Sequence, residues 1–388
     1  MGVIIGLLAR GMFRMSHGII KLAPNKLKEM LDDIKLDMNP EEEPDDIMEM
    51  VGEKLRPIVF ENQENRRLLL HLRDKGPNYI LIKSNMKFDL PDTPQGFDPV
   101  DGDKSWWKMA YLTLGFMHLS NLKMVSYFTE NKGRPFVNLV PMESPGPEAT
   151  VDEEISYKKS IGDLRGHTDG MFLPFSSEIE DWKFQGDSPA PDFVVLLGLK
   201  NIGLVPTKYY SLEDLIGPHD TDITYHFEQN VFRLREQSSF DVKRDISNVP
   251  IYVKDMKHGY QIRFNHNIGE WKYGESGYYE NNKAKNFEKI EHEDARKAFF
   301  KFTDKLAALI RDPNCNIVLE QGDILFLNNR NSLHGRGEVI KVNNPLPSDK
   351  DPIKDRAEKG RWIIRTYAQL ETTLRVPRDP RVPHILNP

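Results

Sequence analysis

GDILFLNNRNSLHGR, residues Gly322–Arg336, is the stretch on which the fold turns. Gly322-Asp323 makes a turn, Ile324–Leu327 is an apolar run of strand length, and the polar NNRN that follows is a loop. His334 then stands between Leu333 and Gly335. Just upstream, His292–Arg311 reads as a helix, with Phe299, Phe302, Leu306, Leu309 and Ile310 on one face. Downstream, Asn343–Gly360 is polar, carries three prolines and has no apolar period, which predicts a surface insertion at about 341–360. Arg361–Tyr367 (RWIIRTY) returns to a strand pattern.

The same β character extends back to about Leu164. Phe193–Leu199 (FVVLLGL) is a continuous apolar run, suited to a sheet buried on both faces. Ile251–Val253 and Tyr260–Phe264 are shorter strands. The polar stretch Ser211–Asn248 is too long for a turn and predicts a lid or insertion at about 211–250. Earlier, Lys123–Phe128 and Pro135–Val140 read as strands around a turn at Asn131-Lys132-Gly133, and Tyr79–Lys83 as another. The start is helical: Leu27–Ile34, Ile47–Leu55 and Trp106–Leu114 carry apolar residues at helical spacing. Helices followed by many short strands predict a mixed, mainly β fold: an antiparallel sandwich or barrel under a helical N-terminal layer. The division expected is one domain over 1–388, with the helical layer at 1–104, the β core at 105–376 and a tail at 377–388.

Composition agrees with an ordinary globular chain. Of 388 residues, 39% are apolar and 29% charged, and the net charge of −6 offers no basic field for nucleic acid. Cys315 is the only cysteine, so no intramolecular disulfide or cysteine-rich metal site can form. The N-terminal apolar run Val3–Leu8 is shorter than a signal-peptide core, and no later stretch approaches the roughly 20 apolar residues of a membrane span. A cytoplasmic protein with a loose tail over its first twenty residues is expected. The acidic Pro40–Asp46 (PEEEPDD) reads as a solvated linker or helix start.

His167-Thr168-Asp169 is the sharpest local feature. In a strand, residues two apart point to the same side, which sets an imidazole beside a carboxylate. A distant histidine added to such a pair makes the facial triad of non-haem Fe(II) oxygenases. Three ligands on one face leave three positions open: two for a bidentate 2-oxoacid and one for O2. His334 is the candidate third ligand. Arg361 and Arg365 share one face of their strand, with Ile363 and Tyr367, at a spacing of roughly 13 Å. If that face is inward, two guanidiniums on it call for two carboxylates at different depths; if it is exposed, both are simply solvated.

HTDG, the Gly322–Arg336 block and RWIIR together resemble the clavaminate synthase-like branch of the Fe(II)/2-oxoglutarate oxygenases. SYFTENKGRPFVNLVP (Ser126–Pro141) and PDFVVLLGLKN (Pro191–Asn201) extend the resemblance, which runs from about 105 to 376. It implies a double-stranded β-helix (jelly-roll) core. It also implies coupled oxidation of a C–H bond and decarboxylation of 2-oxoglutarate to succinate and CO2, with Fe(II) held by His167, Asp169 and His334. Arg361 would take the distal carboxylate of 2-oxoglutarate and Thr207 would add a hydroxyl. Arg365 would take the substrate α-carboxylate, with Asn138 and Ser160 near its amino group. Many relatives have Glu where this chain has Asp169. Related halogenases have a small residue there, so a carboxylate implies hydroxylation.

The resemblance is strongest to hydroxylases of free basic amino acids, which makes L-lysine the expected substrate, with arginine or ornithine next. Glu213, Asp214, Asp220, Asp222 and Glu228 of the polar stretch are the acids that could face a cationic side chain. A carrier- or peptide-bound substrate, or a non-catalytic β-barrel binding protein, are the alternatives. His219, Asp220, Asp222 and His226 form a competing zinc cluster without a closed ligand set. His258, His266 and His292 read as ordinary histidines. The partner expected is a small amino acid, with no nucleic acid or membrane, and self-association is left open.

Overall fold

The computed structural model describes residues 17–73, 78–94, 96–99, 102–142, 150, 157, 160–181, 184–217, 220–235, 240, 245–255, 259–265, 290–339 and 360–388. In chain order its elements begin with β1 (His17–Lys21), α1 (Pro24–Asp32), α2 (Pro44–Phe60), α3 (Gln63–Arg73), β2 (Tyr79–Lys83), α4 (Trp107–Leu119), β3 (Leu122–Tyr127) and β4 (Val137–Leu139). There follow β5 (Leu164–His167), β6 (Phe193–Asn201), β7 (Thr207–Ser211), α5 (Leu212–Leu215), α6 (Thr221–Phe227) and the hairpins β8 (Phe232–Arg235)–β9 (Asp245–Val249) and β10 (Tyr252–Asp255)–β11 (Gly259–Ile262). The chain closes with α7 (Ile290–Leu309), β12 (Asn316–Ile317), β13 (Asp323–Asn328), β14 (Ser332–Arg336), β15 (Arg361–Leu370) and β16 (Ile385–Leu386).

Strand alternation explains the layers. In β6, Phe193, Val195, Leu197 and Leu199 enter one core, while Val194 and Leu196 enter another. β13 divides in the same way, Ile324 and Phe326 against Leu325 and Leu327. These strands lie inside an eight-stranded sheet of order β1-β2-β13-β6-β15-β3-β16, with β4 added beside β15. Helices α1–α4 contribute to the first core. α4 is apolar all round, as a helix buried on every side must be. The second core is shared with a four-stranded sheet, β12-β7-β14-β5, and with α7, whose Phe299 and Phe302 meet Phe264 and Phe227. The turn into β13 is at Gly322, with φ of +91°; a side chain there would also collide with the Met86 carbonyl and Ser84 Oγ.

Several elements differ from the sequence reading. Residues 17–21 are not tail: β1 pairs in parallel with β2, His17 opposite Tyr79, with α1–α3 as the crossover that a parallel pair requires. α3 was not expected either; its Leu68, Leu69 and Leu72 are buried. The polar stretch after β7 holds α5, α6 and the β8–β9 hairpin. The insertion at 341–360, apart from Gly360, and His219, His258 and His266 lie outside the described residues, as do the first sixteen positions. Among the described residues no helix is long and apolar enough to cross a membrane.

Candidate active site

β5 and β14 are antiparallel neighbours, and their register sets His334 directly opposite His167. The two rings lie 4.4 Å apart between centroids. This close approach needs Gly335, because a Cβ there would run into the Leu164 carbonyl. Asp169 follows just beyond the end of β5. Its Oδ1 is 3.6 Å from His167 Nε2 and its Oδ2 is 3.6 Å from His334 Nε2. One ligand atom from each residue lies within 4.8 Å of the others, the one such cluster among the described residues. Ligands at right angles about 2.1 Å from a metal stand roughly 3 Å apart, so a modest closing of these side chains would seat one.

The protonation states suit that role. The Arg165 carbonyl lies 2.8 Å from His167 Nδ1, which favours a proton there and leaves Nε2 as the donor atom. Burial and the neighbouring His167 push His334 below the ordinary imidazole range, so it stays neutral. Burial works against the Asp169 charge, but the two histidines and Arg365 outweigh it and hold the carboxyl well below the usual carboxylate range. Asn329 grips the backbone of Asp169 from both sides: its Oδ1 accepts from Asp169 N–H at 2.9 Å and its Nδ2 donates to the Asp169 carbonyl at 2.8 Å.

Both arginines face this chamber from β15, on the side shared by Ile363 and Tyr367. They differ in partners. Arg365 donates to Glu130 Oε1 at 2.6 Å, has a second nitrogen 3.6 Å from Asp169 Oδ2, and stacks over the Tyr367 ring. Burial opposes its charge, yet Glu130, Tyr367 and Asp169 raise its pKa. Arg361 is buried more deeply, but among the described residues its guanidinium donates to the Leu139 carbonyl alone, and its Nε has no partner there. Burial, with Arg336 as a like charge nearby, lowers its pKa well below the arginine range. It is a cation set for an anion that the described protein residues do not supply.

No family model matches the chain, and neither does any curated protein. Solved structures do. Asparagine oxygenase, in complex with Fe(II), 2S,3S-3-hydroxyasparagine and succinate, superposes at a TM-score of 0.61 over 95% of this chain and 99% of that one, with 18% identity. The non-haem iron oxygenase OrfP, in complex with Fe, succinate and (3S)-hydroxy-L-Arg, reaches 0.62 over the same shares, with 16% identity. This chain has the asparagine-oxygenase fold.

Within the asparagine-oxygenase fold the remaining expected residues divide. Thr207 is buried on β7 opposite Arg336 of β14, in the sheet that carries both histidines. Asn138 is not brought to the triad. It pairs with Ile364, which faces the helical layer, and its amide is used there: Nδ2 donates to the Asp98 carbonyl and Oδ1 accepts from the Trp362 indole. Ser160 is not brought there either. Its hydroxyl donates to the Tyr157 carbonyl and accepts from Met142 N–H, which ties two loop ends together. Asp220 caps α6 and binds Lys301 and Lys305 at 2.8 and 2.7 Å, so it is neutralised by the protein itself. That also removes it from the competing zinc cluster.

Two residues of the site went unnoticed in the sequence. Glu130 is buried beneath Arg365, and its Oε1 accepts from Tyr367 Oη as well, at 3.1 Å. Burial pushes its carboxyl up to about 7 against the pull of Arg365. Oε2 takes no hydrogen bond from the described residues. Nothing in TENKG marks this acid; only Arg365, 235 positions on, gives it meaning. Asn329 was legible only as part of a polar loop.

Proposed function

We propose that the chain is an Fe(II)- and 2-oxoglutarate-dependent oxygenase that hydroxylates an unactivated C–H bond of a free L-amino acid. The observation that carries this reading is a His167-Asp169-His334 cluster facing two arginines of one strand, of which one is neutralised and one is not. Iron at the cluster would be held by the two Nε2 atoms and the Asp169 carboxylate. Bound there with 2-oxoglutarate and O2, it supplies an oxidant for the C–H bond while the cosubstrate becomes succinate and CO2.

The chain's own residues orient the reactants. Arg361 pairs with the distal carboxylate of 2-oxoglutarate through its planar fork, and Thr207 adds a hydroxyl. Arg365 takes the α-carboxylate of the substrate. Glu130 already accepts from Arg365 through one oxygen, and its other oxygen takes the α-ammonium, so the pair matches a zwitterion. Asp169, one methylene shorter than Glu, is engaged with both histidines, and Glu130 supplies the second acid. A carboxylate at 169 fills the coordination position that halogenation would need for chloride, which favours hydroxylation.

The substrate class is a free amino acid with L-lysine first and L-arginine and L-ornithine next. A hydroxylated arginine accompanies OrfP, and a hydroxylated asparagine accompanies asparagine oxygenase. Asp220 is already neutralised, Asp214 accepts from Ser211 and Asp222 lies 3.9 Å from Lys301, so Glu213 is the first acid to test for a cationic side chain, with Asp222 and Glu228 next. Anaerobic addition of Fe(II) and 2-oxoglutarate should give a visible charge-transfer band that His167→Ala abolishes. Its absence in the wild type would point to a non-catalytic binding protein. Mass spectrometry of an amino-acid panel, with succinate measured in parallel, identifies the substrate. Turnover of no free amino acid would favour a carrier-bound one.

A further inference from the structure

The polar segment Asn328–Asn331 leads from the end of β13 into β14 and meets the ligand cluster through Asn329. Asn329 is 3% exposed, and the three hydrogen bonds of its amide all go to backbone. Oδ1 accepts from Asp169 N–H, while Nδ2 donates to the carbonyls of Asp169 and, at 2.9 Å, Pro191. Asn329 thus bonds Asp169 as a neighbouring strand would, through one acceptor and one donor on the same residue.

Asp169 lies just past the strand that carries His167. β5 ends at His167, and Gly170, with φ of +67°, turns the chain away. Thr168 is held by the Phe264 carbonyl, but the ladder of β5 goes no further. The loop that carries Asn329 is itself fixed. Asn329 N–H donates to the Asp192 carbonyl, Asn328 Oδ1 accepts from the N–H groups of Arg330 and Asn331, and Arg330 lies 3.2 Å from Asp192 Oδ1. Asp192 Oδ2 in turn accepts from Leu370 N–H and Thr373 Oγ1 at the far end of β15. His334 follows Asn329 by five residues on the same segment.

We infer that Asn329 is a positioning residue for the metal centre: its amide welds the backbone of one ligand, Asp169, to the segment that delivers another, His334, and so fixes the distance between them. This rests on the oxygenase reading of the cluster. Groups that orient metal ligands from behind typically change metal affinity about 10–100-fold when removed.

The test is titration of the apo-protein with Fe(II), and with Co(II) as an air-stable probe, without cosubstrate. Asn329→Ala and Asn329→Asp are compared with Asn201→Ala. Asn201 makes the same kind of three-bond clamp, to Val205 N–H and the carbonyls of Val205 and Leu319, and touches no ligand of the triad. Asn329→Asp keeps the acceptor for Asp169 N–H but turns an oxygen toward two carbonyls. Both Asn329 variants should bind metal about 10–100-fold more weakly, and the Co(II) absorption spectrum should shift, while Asn201→Ala loses comparable thermal stability but keeps wild-type affinity. If Asn329→Ala does not fold, Asn329→Ser carries the test. Wild-type affinity in the folded Asn329 variants, or an equal loss in Asn201→Ala, would overturn the inference. Failure of the wild type to bind either metal would sink the oxygenase reading instead.

Discussion

Arg361→Met should make the ligand-free protein more stable and its cosubstrate binding much weaker, two effects of opposite sign from one substitution. In the structure Arg361 is 3% exposed, its guanidinium donates to the Leu139 carbonyl, and a like charge, Arg336, is a neighbour. An uncompensated buried charge costs several kcal/mol, and an apolar replacement of similar length relieves most of that. Against this stands the loss of one hydrogen bond, about 1 kcal/mol. The net expectation is a gain of about 1–2 kcal/mol in urea unfolding of the apo-protein, with an unchanged denaturant slope. The charge-assisted bonds to a carboxylate contribute about 3 kcal/mol, so 2-oxoglutarate should bind about 100-fold more weakly. Anaerobic titration of the Fe(II)-protein, followed at the charge-transfer band, measures that. At 100 times its Kd the cosubstrate should stabilise the wild type by about 2.7 kcal/mol, and at the same concentration it should scarcely stabilise the variant. A variant that is less stable without ligand, or that keeps wild-type affinity, would refute the assignment of Arg361 as an anion seat.

Other residues give further tests. Glu130→Gln removes the anion proposed to meet the substrate ammonium. KM for the amino acid should rise about 10–100-fold while the Kd for 2-oxoglutarate holds; an unchanged KM would remove Glu130 from substrate binding. Gly335→Ala drives a Cβ into the Leu164 carbonyl between the two histidine strands, so it should lower the unfolding midpoint and abolish metal binding together. Survival of metal binding would show that the strands can part without losing the site. His334 has a lowered pKa in the fold, so its contribution to stability is present above the ordinary imidazole range and lost as pH falls through it. The wild-type apo-protein should therefore lose stability relative to His334→Gln as pH falls through the ordinary imidazole range, and denaturation curves that change in parallel for the two proteins would refute it.

The readable parts of this fold are those whose signal is local. β6 and β13 carry unbroken apolar runs because each is covered on both faces, and the H-T-D spacing at the end of β5 and the four-residue spacing in β15 announced the ligand pair and the arginine pair. Elsewhere the information lies between distant residues. β1 is a strand because β2 lies beside it, after three helices, and nothing in HGIIK requires that. The family resemblance places Asn138 near the substrate amino group, and β4, which carries it, is only three residues long. A shift of one position exchanges the faces of a strand, and its partner Ile364 belongs to the helical side. Asp220 looked available in the sequence because Lys301 and Lys305 are 81 and 85 positions away.

The β5–β14 pairing also bears on how the protein comes into being. His334 lies 167 positions after His167, and Arg361 and Arg365 come later still. A chain growing from its N-terminus therefore carries the first two ligands long before the third, and contacts of such sequence separation form slowly. Iron encountered early would meet an incomplete set on a solvent-exposed strand edge. Metal loading should accordingly be a late event in biogenesis, following release of the chain through β14, and refolding experiments should show recovery of metal binding lagging behind recovery of helical signal.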